Sequence, residues 1–124
     1  MRKAHFPENV ASVGPYSPAI EADGFVFLSG QTPFDSVKGK LVEGGIKEQT
    51  VQCFANLSLV LKAAGLTMDN VLKVNVFLTD MKNFKDMNGI YEKQFQKPFP
   101  ARSTVAVKEL PLGAMVEIEM VAKR

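Results

Sequence analysis

Residues 46–78, IKEQTVQCFANLSLVLKAAGLTMDNVLKVNVFL, carry two periodicities in succession. Ile46, Thr50, Cys53, Phe54, Leu57, Val60, Leu61 and Ala64 recur at three- and four-residue steps, which predicts one apolar stripe on a helix over 46–64. Gly65 follows as a helix stop. From residue 71 the step is two. Leu72, Val74, Val76 and Leu78 take one face of a strand, and Val71, Lys73, Asn75 and Phe77 take the other. The second face is mixed, which suits a surface that is neither core nor free in water.

Working outward, residues 20–29 (IEADGFVFLS) read as two strands around a tight Asp23-Gly24 turn. Residues 31–45 are rich in Gly, Pro, Asp and Lys and read mostly as loop. A second helix is expected over 83–96, with Phe84, Met87, Tyr91 and Phe95 on its apolar side, Asp80 or Thr79 as cap and Pro98 beyond its end. Gly89 inside it costs about 1 kcal/mol relative to Ala. Strands over 102–108 and 114–122 close the pattern. In the last, Ala114, Val116, Ile118, Met120 and Ala122 alternate with Met115, Glu117, Glu119 and Val121. The order predicts an α+β fold, with two helices packed on one face of a single mixed sheet.

The 124 residues suit one domain, 1–124, with one core. A composition of 46% hydrophobic and 23% charged residues argues against disorder. The net charge of +2 exerts little pull on nucleic acid or anionic lipid, and the Lys residues are scattered rather than banded. A single cysteine, Cys53, excludes an internal disulfide and fits a reducing compartment. Residues 1–10 have a basic start without an apolar run, and no stretch approaches the roughly 18 apolar residues of a membrane span. The cytoplasm is the expected location.

Most familiar catalytic signatures are missing. His5 is the only histidine, so neither a histidine triad nor a multi-histidine metal site can be built within one chain. Cys53 lies on the helix stripe and reads as core. What remains is chemistry needing an anion anchor, a carboxylate and water. If the apolar sets of the last two strands point the same way, Arg102, Thr104, Glu117 and Glu119 share the opposite face. On spacing alone, the plain reading is an ion-paired, solvated sheet surface. The sharper one notes that Arg102 follows Phe99-Pro100-Ala101 at a strand start, where its fork can grip a carboxylate with two hydrogen bonds.

The stretch FPARSTVAVKELPLGAMVEIEM (99–120) resembles the signature of the Rid family, also called the YjgF/YER057c family. The segments VGPYSPA around Tyr16, FLSGQTP around Ser29 and Gly30, and MNGIYE around Asn88 and Tyr91 agree in order and spacing. The resemblance covers nearly the whole chain. It implies a chorismate-mutase-like fold assembled as a homotrimer, with ligand clefts between neighbouring subunits and the mixed face of residues 71–77 as interface. It also implies hydrolysis of 2-iminobutanoate and 2-iminopropanoate to 2-oxo acids and ammonia, without metal or organic cofactor.

Carried over by motif, Arg102 would hold the substrate carboxylate. Glu117, the first Glu of VEIEM, would position or activate water or handle protons. Tyr16, Ser29 and Asn88 would shape and polarise the cleft, and the backbone at Gly30 and near Thr104 would complete the hydrogen bonding. Thr104 departs from the Cys of many bacterial members, which removes a thiol from the cleft. Two other functions are set beside this one: a regulatory trimer that binds 2-oxo acids without catalysis, and a ribonuclease or translation inhibitor, as some relatives are described.

Overall fold

The computed structural model describes residues 1–10 and 13–124. Its centre is the helix α1, Ile46–Ala63, followed by the strand β6, Val71–Leu78. The buried face of α1 includes Ile46, Thr50, Cys53, Phe54, Leu57, Val60 and Leu61, the stripe read from the sequence. Its start is fixed by Glu48, whose carboxylate accepts the Gly45 N–H at 2.8 Å. Its end is fixed by Gly65 at φ 75°, beyond which the Leu66 N–H returns to the Leu61 carbonyl.

Eight strands form among the described residues. These are β1 (Lys3–His5), β2 (Ala19–Ala22), β3 (Phe25–Gln31), β4 (Phe34–Asp35), β5 (Lys40–Leu41), β6, β7 (Ala101–Ala106) and β8 (Val116–Lys123). Six make one mixed sheet in the order β1-β2-β3-β8-β6-β7, in which only the β6–β7 pair is parallel. The β2–β3 hairpin turns at Asp23 and Gly24, both with positive φ, as a two-residue turn of its hand demands.

Two expectations need correction and one gains detail. The stretch 31–45 is mostly loop, as expected, with β4 and β5 pairing there as a small hairpin. Asp35 stabilises its turn by accepting the N–H groups of Val37 and Lys38. The second helix, α2, is shorter than its periodic pattern. It spans Phe84–Tyr91 and runs on only as a short 3-10 turn, Glu92–Gln94. The register of β6 against β8 shifts between Val71 and Lys73. One extra residue there reverses the alternation, so Val71 is buried while Leu72 is half exposed.

Both helices lie on one side of the sheet. Val26, Leu28, Val74, Val76, Leu78, Val116, Ile118 and Met120 face Phe54, Leu57, Leu61, Met87 and Tyr91 in a single buried cluster. The opposite side carries Phe25 and Phe27 from β3 and Val105 from β7, all well exposed, together with Glu117, Glu119 and Val121. Among the described residues, no helix is long and apolar enough to cross a membrane.

Glu21 of β2 joins three separate pieces of chain. It accepts from His5 Nε2 at 2.8 Å and from both Nε and Nη2 of Arg124, whose Nη2 also donates to the Ala64 carbonyl. The hydrogen bonds from Arg124 and then His5 hold the Glu21 carboxyl down at about 2. A depressed carboxylate pKa stabilises the fold above the ordinary value of about 4.3, and that gain is lost as pH falls toward the folded value. Glu21→Gln should therefore lower the melting temperature at pH 7, and the gap from wild type should close between about pH 4 and pH 2. Thermal scans across that range check it.

Candidate functional site

Seven residues were singled out by sequence, and the fold sorts them into two groups. Tyr16, Gly30 and Glu117 line a crevice of about 460 Å³ whose walls include Gln31, Phe34 and Leu112. Leu112 forms part of it from the left-handed region, at φ 62°. Arg102 and Asn88 line a second, shallower crevice of about 350 Å³, with Tyr91, Glu92, Phe99 and Pro100.

In the first crevice Glu117 projects from β8 on the face away from the helices. Beside it β3 breaks register between Leu28 and Gln31, the irregularity that contains Ser29 and Gly30. A Cβ at Gly30 would lie 2.5 Å from Glu117 Oε2, so only glycine admits the carboxylate at that point. Burial first, and the charge of Glu119 second, push the Glu117 carboxyl above its ordinary range. Glu119 accepts from Asn75 Nδ2 at 2.9 Å. That bond engages Glu119 within the sheet, which supports Glu117 as the working carboxylate. Ser29 points elsewhere. Its hydroxyl donates to the Ser17 carbonyl at 2.7 Å and braces the turn that carries Tyr16.

In the second crevice, Arg102 of β7 donates Nη1–H to Asn88 Oδ1 at 2.7 Å. Its guanidinium carbon lies 4.6 Å from the centre of the Tyr91 ring and 5.5 Å from that of Phe84. Among the described residues, Nε and Nη2 have no hydrogen-bond partner. Thr104 lies two residues along on the same side, and its hydroxyl is buried without a partner among the described residues. Sequence reasoning missed Phe84 and Tyr91 as neighbours of Arg102. Their spacing from Asn88, four residues back and three forward, was the available signal, because it puts all three on one helix face.

The expectation that Arg102, Thr104, Glu117 and Glu119 share a face is wrong. Arg102 pairs in register with Val74 and Thr104 with Val76, both core residues, so these side chains lie on the helix side. Glu117 pairs with Phe77 and Glu119 with Asn75, on the opposite side. The error came from taking Val105 as core. It lies on an edge strand and is about half exposed, on a sheet surface that is itself partly apolar. Within one chain the guanidinium and the carboxylate therefore open on opposite faces, with β6 between their strands.

Each group alone has recognisable chemistry. The Arg102 crevice presents a guanidinium of the kind that can grip an anion. The Glu117 crevice holds a carboxyl shifted toward the pH at which it can both take and give a proton. Titration of Glu117 followed by carboxyl 13C NMR should give a midpoint above the usual glutamate range, and Glu119→Gln should move it down.

Known proteins resemble the chain along its length. The sequence model described as Endoribonuclease L-PSP matches residues 6–124. A "RutC family protein" of Aquifex aeolicus is 51% identical over 124 residues, covering 98% of each chain. The "2-iminobutanoate/2-iminopropanoate deaminase" of Mus musculus is 45% identical over 112 residues, covering 90% of this chain and 83% of the mouse protein. The crystal structure of a Rid-family protein of unknown function from Yersinia pestis superposes with a TM-score of 0.96 at 41% identity, covering all of both chains.

Proposed function

Since the chain belongs to the Endoribonuclease L-PSP family, the YjgF/RidA family of its sequence signature, we propose that it hydrolyses small 2-imino acids such as 2-iminobutanoate and 2-iminopropanoate. The observation that carries this reading is the pair of half-sites. One is a guanidinium fixed by Asn88, with Nε and Nη2 open among the described residues. The other is a half-buried carboxyl held above its ordinary pKa. A 2-imino acid asks for these two things, a grip on its carboxylate and proton transfer at the adjacent carbon. Homologues 42–45% identical carry the deaminase name.

The two half-sites complete each other when the Arg102 crevice of one protomer closes on the Glu117 crevice of the next. This repeats around a ring as a heterologous contact, and a homotrimer is our reading of its size. Arg102 holds the carboxylate with Nε and Nη2. Water attacks the C2 carbon of the protonated imine while Glu117 accepts its proton. The new tetrahedral centre carries hydroxyl and amine on one carbon. Proton return from Glu117 to nitrogen makes ammonia the leaving group. As the C2–N bond breaks, the hydroxyl gives its proton back to Glu117 and the C2–O bond becomes the ketone of the 2-oxo acid. The departing ammonia carries that last proton away as ammonium. Tyr16, the Gly30 backbone and the strand around Thr104 line the space for the reacting atoms, and Ser29 supports Tyr16. No step calls for a metal or organic cofactor. The electrophile is reactive already, so orientation and one positioned proton acceptor account for much of the required acceleration. We place this activity in the cytoplasm, beside the enzymes that release such imines.

Placement of the sole imidazole favours this over nucleic-acid cleavage. His5 lies on β1, at the opposite edge of the sheet from β7, and is bonded to Glu21 of β2. The protein should accelerate loss of 2-iminobutanoate generated by a threonine dehydratase. Arg102→Ala should lower kcat/KM by about a hundredfold or more. Tight 2-oxo acid binding without acceleration would instead indicate a non-catalytic binding trimer.

Mixing Arg102→Ala and Glu117→Gln protomers tests the shared crevice directly. In trimers assembled at random from equal amounts, three in four are mixed and each keeps one intact crevice, so about a quarter of wild-type activity should return. Mixed assemblies as inactive as their parents would overturn the proposal.

A further inference from the structure

Arg102 sits near the start of β7, a strand at the edge of the sheet. A long, flexible side chain there gains no fixed direction from the backbone alone. The structure restrains it in two perpendicular ways. Asn88 accepts one hydrogen bond in the plane of the guanidinium. The Tyr91 ring lies 4.6 Å away and Phe84 5.5 Å. A hydrogen bond fixes where one nitrogen lies, whereas a ring face fixes the group against which the planar fork rests.

Tyr91 and Phe84 are not equivalent supports. Tyr91 is only 5% exposed and contacts two other rings, Phe54 of α1 edge-on at 5.7 Å and Phe95 at 5.0 Å. Phe84 is only partly buried and belongs to the rim of the core. Tyr91 therefore connects the helix α1, through Phe54, to the guanidinium. Its hydroxyl is buried and has no hydrogen-bond partner among the described residues. Burial also raises its pKa, so the phenol stays neutral beside the cation.

Resting on the reading of Arg102 as carboxylate anchor, we infer that Tyr91 is a positioning residue. Its ring face sets the orientation of the Arg102 guanidinium, and its hydroxyl takes no part. The stack leaves Nε and Nη2 directed at the incoming carboxylate before substrate arrives, so less freedom is lost on binding. The effect belongs to carboxylate affinity more than to the chemical step, because the same grip holds substrate and transition state.

The test replaces Tyr91 with Phe, with Leu, and with phenylalanines of increasing ring fluorination, which drains the ring face of negative charge while keeping its shape. Two readouts are taken on the assembled protein: the 15N–1H resonance of Arg102 Nε without ligand, and steady-state kinetics with 2-iminobutanoate. Tyr91→Phe should keep the ring-shifted resonance and a KM within about twofold of wild type, whereas Tyr91→Leu should lose the shift and raise KM about fivefold with kcat little changed. Across the fluorinated series KM should climb steadily, and these variants decide the matter if Tyr91→Leu fails to assemble.

A flat response to fluorination, or a Tyr91→Phe protein as impaired as Tyr91→Leu, would overturn the inference. If the wild type shows no imine turnover, the function proposed above fails by itself. The Arg102 resonance then decides whether Tyr91 orients the guanidinium.

Discussion

Side chains leave a strand alternately to its two faces, and in this sheet β6 lies between β7 and β8. Arg102 and Thr104 follow the core-facing residues Val74 and Val76, whereas Glu117 follows Phe77 on the other face. No rotamer change can bring the two groups together through a hydrogen-bonded sheet. A single chain therefore cannot present both groups to one small molecule, and the shared crevice proposed above follows from that constraint. The same constraint gives the face away from the helices its character. Phe25, Phe27 and Val105 sit there beside Glu117 and Glu119, too apolar for a free surface and too charged for a core.

Each half of the site carries an energetic burden met locally. Glu117 is held against Gly30 and beside a second carboxylate, an arrangement that disfavours its ionised form. Asn75 engages Glu119, which keeps that neighbour in a defined place. Across the sheet, the Arg102 cation spreads over aromatic faces supported by the main core. The two groups are thus supported by different parts of the fold, Glu117 by the irregular stretch of β3 and Arg102 by α2. Either half can be altered with little disturbance of the other.

Periodic segments were legible from sequence because burial on one side imprints directly on spacing. The stripe of α1, the alternation of β8 and the Asp23-Gly24 hairpin all appear where the residues put them. Three features were hidden for physical reasons. The shift at Val71–Lys73 comes from a backbone irregularity that leaves the composition unchanged. β4 and β5 are too short for any period to show. The face of β7 was misread because an edge strand of six residues shows its apolar side to the outer surface. Tyr16, Gly30, Asn88, Arg102 and Glu117, named from the sequence pattern, all line crevices. Their division between two crevices was not legible, because it depends on the register of three strands, which no local spacing contains.

Cys53 gives the molecule one further property. It is the sole cysteine of the chain, fully buried on the core face of α1, with its thiol pushed well above the usual range by burial and secondarily by Glu117. The residues lining the two crevices include no thiol. Alkylating agents, peroxide and the electrophilic debris of metabolism therefore meet no soft nucleophile at either opening. For the experimenter, this chain is a ready background for site-directed labelling, since a maleimide dye would report only from a thiol introduced by design.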